Sequence, residues 1–149
     1  MTYLLDSNTV SDLYGKSNNT LSILSKLAEI GKSGESACIS ILTNYEAAYG
    51  VSNSPEGIRQ ELHKRYNQIT NYLPSLPIPS LGAETFGKIK AEFVKKRNLN
   101  KNSAKKHATD LILAVTAIEN NCILVSADSI YHDICKIDPR LKWQDWTKD

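Results

Sequence analysis

The sequence predicts an α/β domain with a mainly parallel sheet that is covered by helices on both faces. Short apolar runs at residues 3–5, 37–41 and 123–125 predict three strands. Because these runs are continuously apolar rather than alternating, we expect both of their faces to be buried. Segments with the apolar spacing of helices lie between the runs, and this order is typical of α/β proteins.

Local signals place the elements of the first half of the chain. The first strand ends at Asp6, and a polar loop leads to a short helix that begins at Val10. Thr20 is a candidate cap for a helix over 21–30, which glycines then end. The second strand is followed by a helix over 43–49, and a longer helix runs from about 58 to 73, after the break at Pro55.

The second half continues the alternation. Three prolines, at 74, 77 and 79, bracket a short extended piece, and a helix over about 83–96 follows. Residues 97–108 read as a basic, Asn-rich connection. A helix over 110–119 has its apolar residues on one stripe. After the third strand come a short helix over about 130–135 and a last strand near Trp143.

The bulk properties predict one ordinary intracellular domain at 1–149. The chain has 149 residues, enough to bury a core without disulfides or a structural metal, and its net charge of +2 indicates no particular partner. The three cysteines form no C-x-x-C pair, which fits a reducing, cytoplasmic setting. We expect neither a signal peptide nor a membrane span, since no apolar stretch approaches the ~20 residues required.

Four carboxylates occupy corresponding places in this predicted topology. Asp6 and Asp128 follow two strands, while Glu46 and Asp110 lie near the starts of two helices that follow strands. Because strand ends and the helices after them share one rim of a parallel sheet, the four acids are expected to converge there. Clustered carboxylates repel one another unless cations lie between them, and such oxygen ligands select Mg²⁺ or Mn²⁺.

Each acid also has a purely structural interpretation. Asp6 is also consistent with a solvated turn residue. Thr43 and Glu46 have the spacing of a capping box, in which the glutamate bonds back to the cap amide. Asp110 is also suited to the helix dipole behind a Thr109 cap, and Asp128 to capping the helix near residue 130.

Four segments together resemble the PIN domain, in particular the small VapC-type toxins of bacterial toxin–antitoxin pairs. They are YLLDSNTVS at 3–11, ISILTNYEAAYG at 39–50, TDLILAVTAIE at 109–119 and CILVSAD at 122–128. Each motif is modestly specific alone, whereas the ordered set covers nearly the whole chain. The resemblance implies a three-layer α/β/α domain with about five strands in doubly wound order.

The resemblance also implies an activity and a residue set. It implies an endoribonuclease supported by Mg²⁺ or Mn²⁺, with metal-activated water as the nucleophile and an acidic quartet at Asp6, Glu46, Asp110 and Asp128. The hydroxyl that assists the last acid falls on Ser126, and the polar residue that steadies the first loop falls on Asn8. The implied partners are a small antitoxin, which blocks the site, and a second copy of the chain.

Two regions depart from the family pattern. The acid–aromatic pair that often follows the last acid is only loosely matched, which leaves Asp133 either at the site or on the surface. The stretch before Asp110 is longer and more basic than expected. Its cations could track an RNA backbone or could form a solvated helix end: Lys95, Lys96, Arg97, Lys101, Lys105 and Lys106.

Two other functions remain open on the sequence. A haloacid-dehalogenase-type phosphatase is partly imitated by residues 6–10, but Asn8 replaces the aspartate that would act as general acid, and an amide cannot donate a proton in that way. A catalytically silent PIN-like binding module is the other alternative. The three histidines show no metal-ligand spacing and are expected to be structural or exposed.

Overall fold

Residues 1–148 are the part of the chain that the computed structural model describes, and they form five strands and eight helices. In chain order these are β1 (Thr2–Leu5), α1 (Ser7–Tyr14), α2 (Thr20–Lys32), β2 (Ser36–Ser40), α3 (Ile41–Ser52), α4 (Glu56–Tyr72), β3 (Ser75–Leu76), α5 (Ala83–Arg97), α6 (Lys101–Lys105), α7 (Ala108–Glu119), β4 (Ile123–Val125), α8 (Ile130–Ile137) and β5 (Lys142–Gln144). Strands and helices alternate through most of the chain, as the sequence predicts.

The five strands form one sheet in the order β3-β2-β1-β4-β5, and every neighbouring pair is parallel. The central strand β1 pairs with β2 and β4, so that Leu5 lies opposite both Ile39 and Val125. The reversal of strand order at β1 makes the sheet doubly wound. The predicted parallel sheet of about five strands is therefore confirmed.

Two apolar cores lie on opposite faces of the sheet. Successive β1 side chains point to opposite faces, and Leu4 packs in one core while Leu5 packs in the other. The first core includes Phe93 of α5 and Leu113 of α7, and the second includes Ile23 of α2. Leu4 and Leu5 are both fully buried, which confirms the prediction that helices cover both faces of this strand.

Several helix starts differ from the predictions. Helix α1 begins at Ser7 rather than Val10, because Asp6 caps it by accepting a hydrogen bond from the N–H of Thr9. Two further starts follow capping residues that the sequence analysis does not identify. Helix α3 begins at Ile41 rather than Thr43, since the Ser40 side chain accepts a hydrogen bond from the N–H of Leu42. Within the predicted 97–108 connection, the Asn100 side chain accepts from Ser103 and starts the short helix α6. Both are ordinary N-cap contacts.

Two findings bear on the expectations about thiols and membranes. The three cysteines are free thiols, and Cys38 and Cys122 are buried as small apolar side chains. Within residues 1–148, the structure contains no helix with the length and apolar character that crossing a bilayer requires.

Candidate active site

The carboxyl ends of β1 and β4 lie side by side at one edge of the sheet. Leu5 and Val125, the last residues of these strands, are register partners. The backbone N–H of Asp6 continues the ladder by donating to the carbonyl of Val125 at 3.0 Å. Asp6 and Ser126, which directly follow the two strands, therefore meet at this edge, where open parallel sheets bind their ligands.

Asp6 is a buried carboxylate that is held at both of its oxygens. The residue is only 4% exposed. Oδ1 accepts a hydrogen bond from the N–H of Thr9 at 2.8 Å, which makes Asp6 the N-cap of α1, and Oδ2 accepts one from the hydroxyl of Ser126. Burial raises the pKa of Asp6, the hydrogen bonds from Ser126 and Thr9 oppose that rise, and the charge of Asp128 adds to it.

Asp110 approaches the same region from the first turn of α7. Its Oδ1 lies 3.5 Å from the Tyr131 hydroxyl, which donates to it, and its Oδ2 lies 3.7 Å from Nδ1 of His107. Burial raises the pKa of Asp110, and the charges of Asp128 and Asp6 raise it further, whereas His107 lowers it. The carboxylates of Asp6, Asp110 and Asp128 therefore act on one another electrostatically.

Ser126 connects the first and last of these acids. Its hydroxyl donates to Asp6 and also accepts a hydrogen bond from the N–H of Asp128 at 3.0 Å. The exposed side chain of Asp128 accepts a hydrogen bond from the N–H of Ile130, the first residue of α8, at 3.0 Å, although the cap position of this helix is Ser129 rather than Asp128. One Asp128 oxygen makes that contact, which leaves the other available to a ligand.

Tyr131 is the part of the site that the sequence did not indicate. It is 0% exposed, and its hydroxyl faces the acidic cluster. Burial, followed by the charges of Asp110, Asp6 and Asp128, raises the pKa of Tyr131 well above its ordinary value. Tyr131 thus stays a neutral hydrogen-bond donor beside three carboxylates. An aromatic residue on the apolar stripe of α8 reads as core, and only the tertiary structure brings its hydroxyl to the cluster.

Glu46 lies beside this cluster but is not among the charges that raise the pKa of Asp6 or Asp110. Its side chain is exposed and accepts a hydrogen bond at 2.9 Å from the hydroxyl of Ser7, the residue after Asp6. The capping-box interpretation is wrong, because α3 begins at Ile41 and the cap is Ser40. Glu46 therefore lies more than one turn into the helix, free of a capping role.

The donor set fits a hard divalent cation, because every candidate ligand is a carboxylate oxygen. The positions of these side chains do not make up a complete metal-binding site. Within residues 1–148, no three His, Cys, Asp or Glu side chains lie close enough together to hold a metal ion. Asp6 is fixed by its hydrogen bonds, whereas Asp128 is exposed and Asp110 is partly exposed. Asp110 and Asp128 would have to turn towards Asp6 for the three carboxylates to share one ion.

The remaining candidates lie at the surface. Asn8 is exposed in the first turn of α1, and the contacts that hold Asp6 come from Thr9 and Ser126 instead. Asp133 pairs with Arg97 at 2.7 Å, which lowers the pKa of Asp133 and directs it towards α5. The five lysines predicted beside Arg97 are exposed along the end of α5 and around α6.

His107 is a second residue near the acidic cluster that the sequence does not single out. It was expected to be structural or exposed, but it lies between the basic segment and Asp110, with its ring 5.3 Å from that of Phe93. The spacing of three residues between His107 and Asp110 was a usable signal, since side chains at i and i+3 of a helix are neighbours.

Solved structures similar to this chain share its fold along almost its whole length. One is the crystal structure of VapBC2 from Rickettsia felis bound to a DNA fragment from their promoter, with a TM-score of 0.78, 22% identity, and 98% of this chain and 99% of that chain covered. Another is DNA-bound VapBC from Salmonella typhimurium, with a TM-score of 0.72, 20% identity and 98% of both chains covered. A third is FitAcB from Neisseria gonorrhoeae, with a TM-score of 0.71, 19% identity and 97% of both chains covered.

Sequence comparison gives the family. Among curated protein sequences, none matches this chain. The PIN domain family does match, over residues 3–137, a range that includes Asp6, Glu46, Asp110 and Asp128. This match spans most of the chain and agrees with the fold, and the protein belongs to the PIN domain family.

Proposed function

We propose that this protein is a metal-dependent endoribonuclease. The observation that carries the proposal is the proximity of Asp6, Asp110 and Asp128, which come from three separate elements. Ser126 hydrogen-bonds both the Asp6 side chain and the Asp128 backbone, and the charges of Asp128 and Asp6 raise the pKa of Asp110. A cluster of this kind at the carboxyl edge of a parallel sheet is a place for cations and for the phosphates they bind. Membership of the PIN domain family supports the same function.

We assign Asp6, Glu46, Asp110 and Asp128 as the carboxylates that would hold Mg²⁺ or Mn²⁺. When bound, such ions lower the pKa of a water molecule and stabilise the charged oxygens of a phosphodiester displacement. Asp6 serves as the fixed member, because Thr9 and Ser126 hold its oxygens. Glu46 extends the acidic surface along α3, next to Ser7.

The residues around the acids orient them. The neutral hydroxyl of Tyr131 donates to Asp110 from inside the core, and His107 contacts the other Asp110 oxygen. Ser126 holds the Asp6 side chain and the Asp128 backbone with one hydroxyl. These contacts limit how far each carboxylate can move, which preserves the site for a substrate phosphate.

Incubation of the purified protein with RNA tests the proposal. We expect cleavage in Mn²⁺ that EDTA abolishes, and we expect Asp6→Asn to reduce the rate by at least about 10²-fold, the size of effect typical for loss of one electrostatic group at a reacting centre. Asp12→Asn is the matched control, since it removes the same charge from α1, away from the cluster. Circular dichroism verifies that both variants fold.

Three outcomes would contradict the proposal. Cleavage that persists fully in Asp6→Asn would remove this carboxylate from the mechanism. Absence of any chelator-sensitive cleavage would favour a catalytically silent binding module. Hydrolysis of a small phosphate ester instead of RNA would favour the phosphatase alternative.

We also propose that the protein is the toxin of a toxin–antitoxin pair and that a cognate antitoxin neutralises it. The similar structures named VapBC support this, since VapBC-1 from nontypeable Haemophilus influenzae and the VapBC family member from Mycobacterium tuberculosis, described as a toxin–antitoxin system, share the fold. Cytoplasmic location and a homodimer belong to the same proposal. Sedimentation of the purified protein tests the dimer.

An apolar groove between α2 and α4 is a suitable surface for the antitoxin. It encloses about 680 Å³ and is lined mostly by apolar side chains, among them Leu24, Leu27, Ile69 and Tyr72. Leu24 is 48% exposed and Tyr72 is 84% exposed, which is unusual for side chains of this size around one hollow. An amphipathic helix of a partner fits such a groove.

A further inference from the structure

We infer that a cleft between α5 and α6 binds a single-stranded RNA backbone and its bases next to the active site, an inference that rests on the proposed ribonuclease function. The cleft encloses about 540 Å³. Its floor is apolar and is formed by Val94, Leu99 and Ala104, while Lys90, Lys101 and Lys105 stand around it. This combination offers an apolar surface to a base and cations to the adjoining phosphates.

The three cleft lysines are available to an external anion. Within residues 1–148, no carboxylate lies within ion-pair distance of Lys90, Lys101 or Lys105. Lys90 has its Nζ 5.6 Å from the centroid of the Phe86 ring, a contact that leaves its positive charge uncompensated. By contrast, the nearby Arg97 pairs with Asp133. Arg97 is therefore paired within the protein, whereas the three cleft lysines have no ion-pair partner among residues 1–148.

Although the net charge is only +2, the basic and acidic residues are distributed unevenly along the chain. Eight of the 18 Lys and Arg residues lie between residues 88 and 106, and the same segment contains a single acidic residue, Glu92. The rest of the chain has ten basic and fifteen acidic residues. The α5–α6 region is therefore a positive surface on an otherwise negative protein, which favours a polyanion at this place.

The cleft is within reach of the acidic cluster. Lys105 precedes Asp110 by five residues, so their Cα atoms are at most about 17 Å apart. The backbone runs from α6 through His107, whose ring contacts Asp110, into α7. A strand of a few nucleotides can therefore lie in the cleft and present a phosphodiester to the carboxylates.

The chemistry of both sites points to RNA as the occupant. The carboxylates repel a substrate phosphate, and cations a short distance along the same strand offset that repulsion. The apolar floor suits bases that are unstacked and exposed, as in single strands and loops, rather than a paired duplex. An acidic protein segment would satisfy the lysines but would gain nothing from proximity to the carboxylates.

Fluorescence anisotropy with a labelled single-stranded RNA in EDTA measures binding without cleavage. The test variant is Lys90→Gln/Lys101→Gln/Lys105→Gln. The control, Lys16→Gln/Lys32→Gln/Lys64→Gln, removes the same charge from exposed lysines on the α1, α2 and α4 side of the sheet. Loss of three phosphate contacts is expected to reduce the slope of log K against log salt by about 2 and to weaken binding at least about tenfold at low salt. The control should bind within about twofold of the unchanged protein.

Equal effects of the two triple variants would overturn the inference, since general charge would then explain binding. So would an unchanged salt slope in the cleft variant. A cleft variant that binds RNA normally but loses affinity for the antitoxin would assign the cleft to a protein instead. Because binding is measured in EDTA, failure of the nuclease proposal is seen separately, as absence of Mn²⁺-dependent cleavage by the unchanged protein.

Discussion

At the scale of single residues, the site is organised around one buried charge. Asp6 is almost completely removed from water, yet both of its oxygens accept hydrogen bonds, from Thr9 and Ser126. Those two donors limit the cost of burying the carboxylate without removing it, because burial still raises the pKa of Asp6. A bound cation would lower the remaining free-energy cost of keeping a negative charge at this buried position.

The raised pKa of Asp6 has a consequence for stability in the metal-free protein. Because the pKa lies above its ordinary value of 3.8, the folded protein holds the proton of Asp6 more tightly than the unfolded chain does. The Asp6 contribution to the free energy of unfolding therefore falls as the pH rises from 3.8 through the raised pKa. Asp6→Asn lacks this group, so its stability relative to the unchanged protein is expected to increase with pH.

Urea unfolding in EDTA at a series of pH values from acid to neutral measures this difference. Comparing the two proteins at each pH cancels the carboxylates whose pKa values are lowered, such as Asp138 and Asp145. Asp12→Asn serves again as the control for the loss of one carboxylate. A constant difference between Asp6→Asn and the unchanged protein would mean that burial does not perturb Asp6.

At the scale of elements, the start of α3 decides what Glu46 can do. With Ser40 as the cap, the helix begins three residues earlier than a Thr43 cap would allow, and Glu46 is left exposed on the surface. The Thr43 hydroxyl, which a capping box would use, is buried and has no hydrogen-bond partner among residues 1–148. Because α3 begins at Ile41, Glu46 has no capping role, and its exposed side chain is accessible to a ligand.

A pair of substitutions tests this register. Ser40→Ala is expected to lower the free energy of unfolding by about 1 kcal/mol, because it removes the N-cap acceptor. Thr43→Val is expected to leave it unchanged or raise it by up to about 1 kcal/mol, because it replaces an unpartnered buried hydroxyl with a methyl group. Urea denaturation of both variants provides the values. Destabilisation by Thr43→Val with no effect of Ser40→Ala would restore the capping box.

At the scale of the whole molecule, the sheet separates two surfaces with different character. The α5, α7 and α8 side carries Asp110 and the cleft lysines, and the α1, α2 and α4 side carries the apolar groove. A substrate and an antitoxin can therefore approach from different directions. Neutralisation by the partner would then depend on a segment that extends from the groove to the sheet edge.

The groove can be tested without touching the acidic site. Leu24→Glu is expected to weaken binding of a co-expressed cognate antitoxin at least about tenfold, or about 1.4 kcal/mol, because it places a charge in the apolar contact. Ile58→Glu is the matched control, since Ile58 is 51% exposed, close to the 48% of Leu24, and does not line the groove. Calorimetric titration of the antitoxin supplies the affinities. Equal binding by both variants would assign the antitoxin to another surface.

The sequence by itself determined the fold class and the order of the strands in the chain. Continuous apolar runs such as residues 123–125 require burial on both faces, and this local property predicts a parallel sheet without knowledge of any contact. Asp6 and Asp128 were identifiable for the same reason, since a polar residue directly after a buried strand lies at a known edge of such a sheet.

Only the tertiary structure decided the partners of these residues. Tyr131 reads as a core aromatic, and its hydroxyl reaches Asp110 because α7 and α8 both pack against α5 over the same face of the sheet. The link from Ser126 to Asp6 joins residues 120 positions apart. The cleft lysines likewise differ from the set that adjacency suggested, because Arg97 turns towards Asp133 while Lys90 comes from an earlier turn of α5. Local patterns fix which elements form, whereas hydrogen bonds and charges between distant segments depend on how those elements pack.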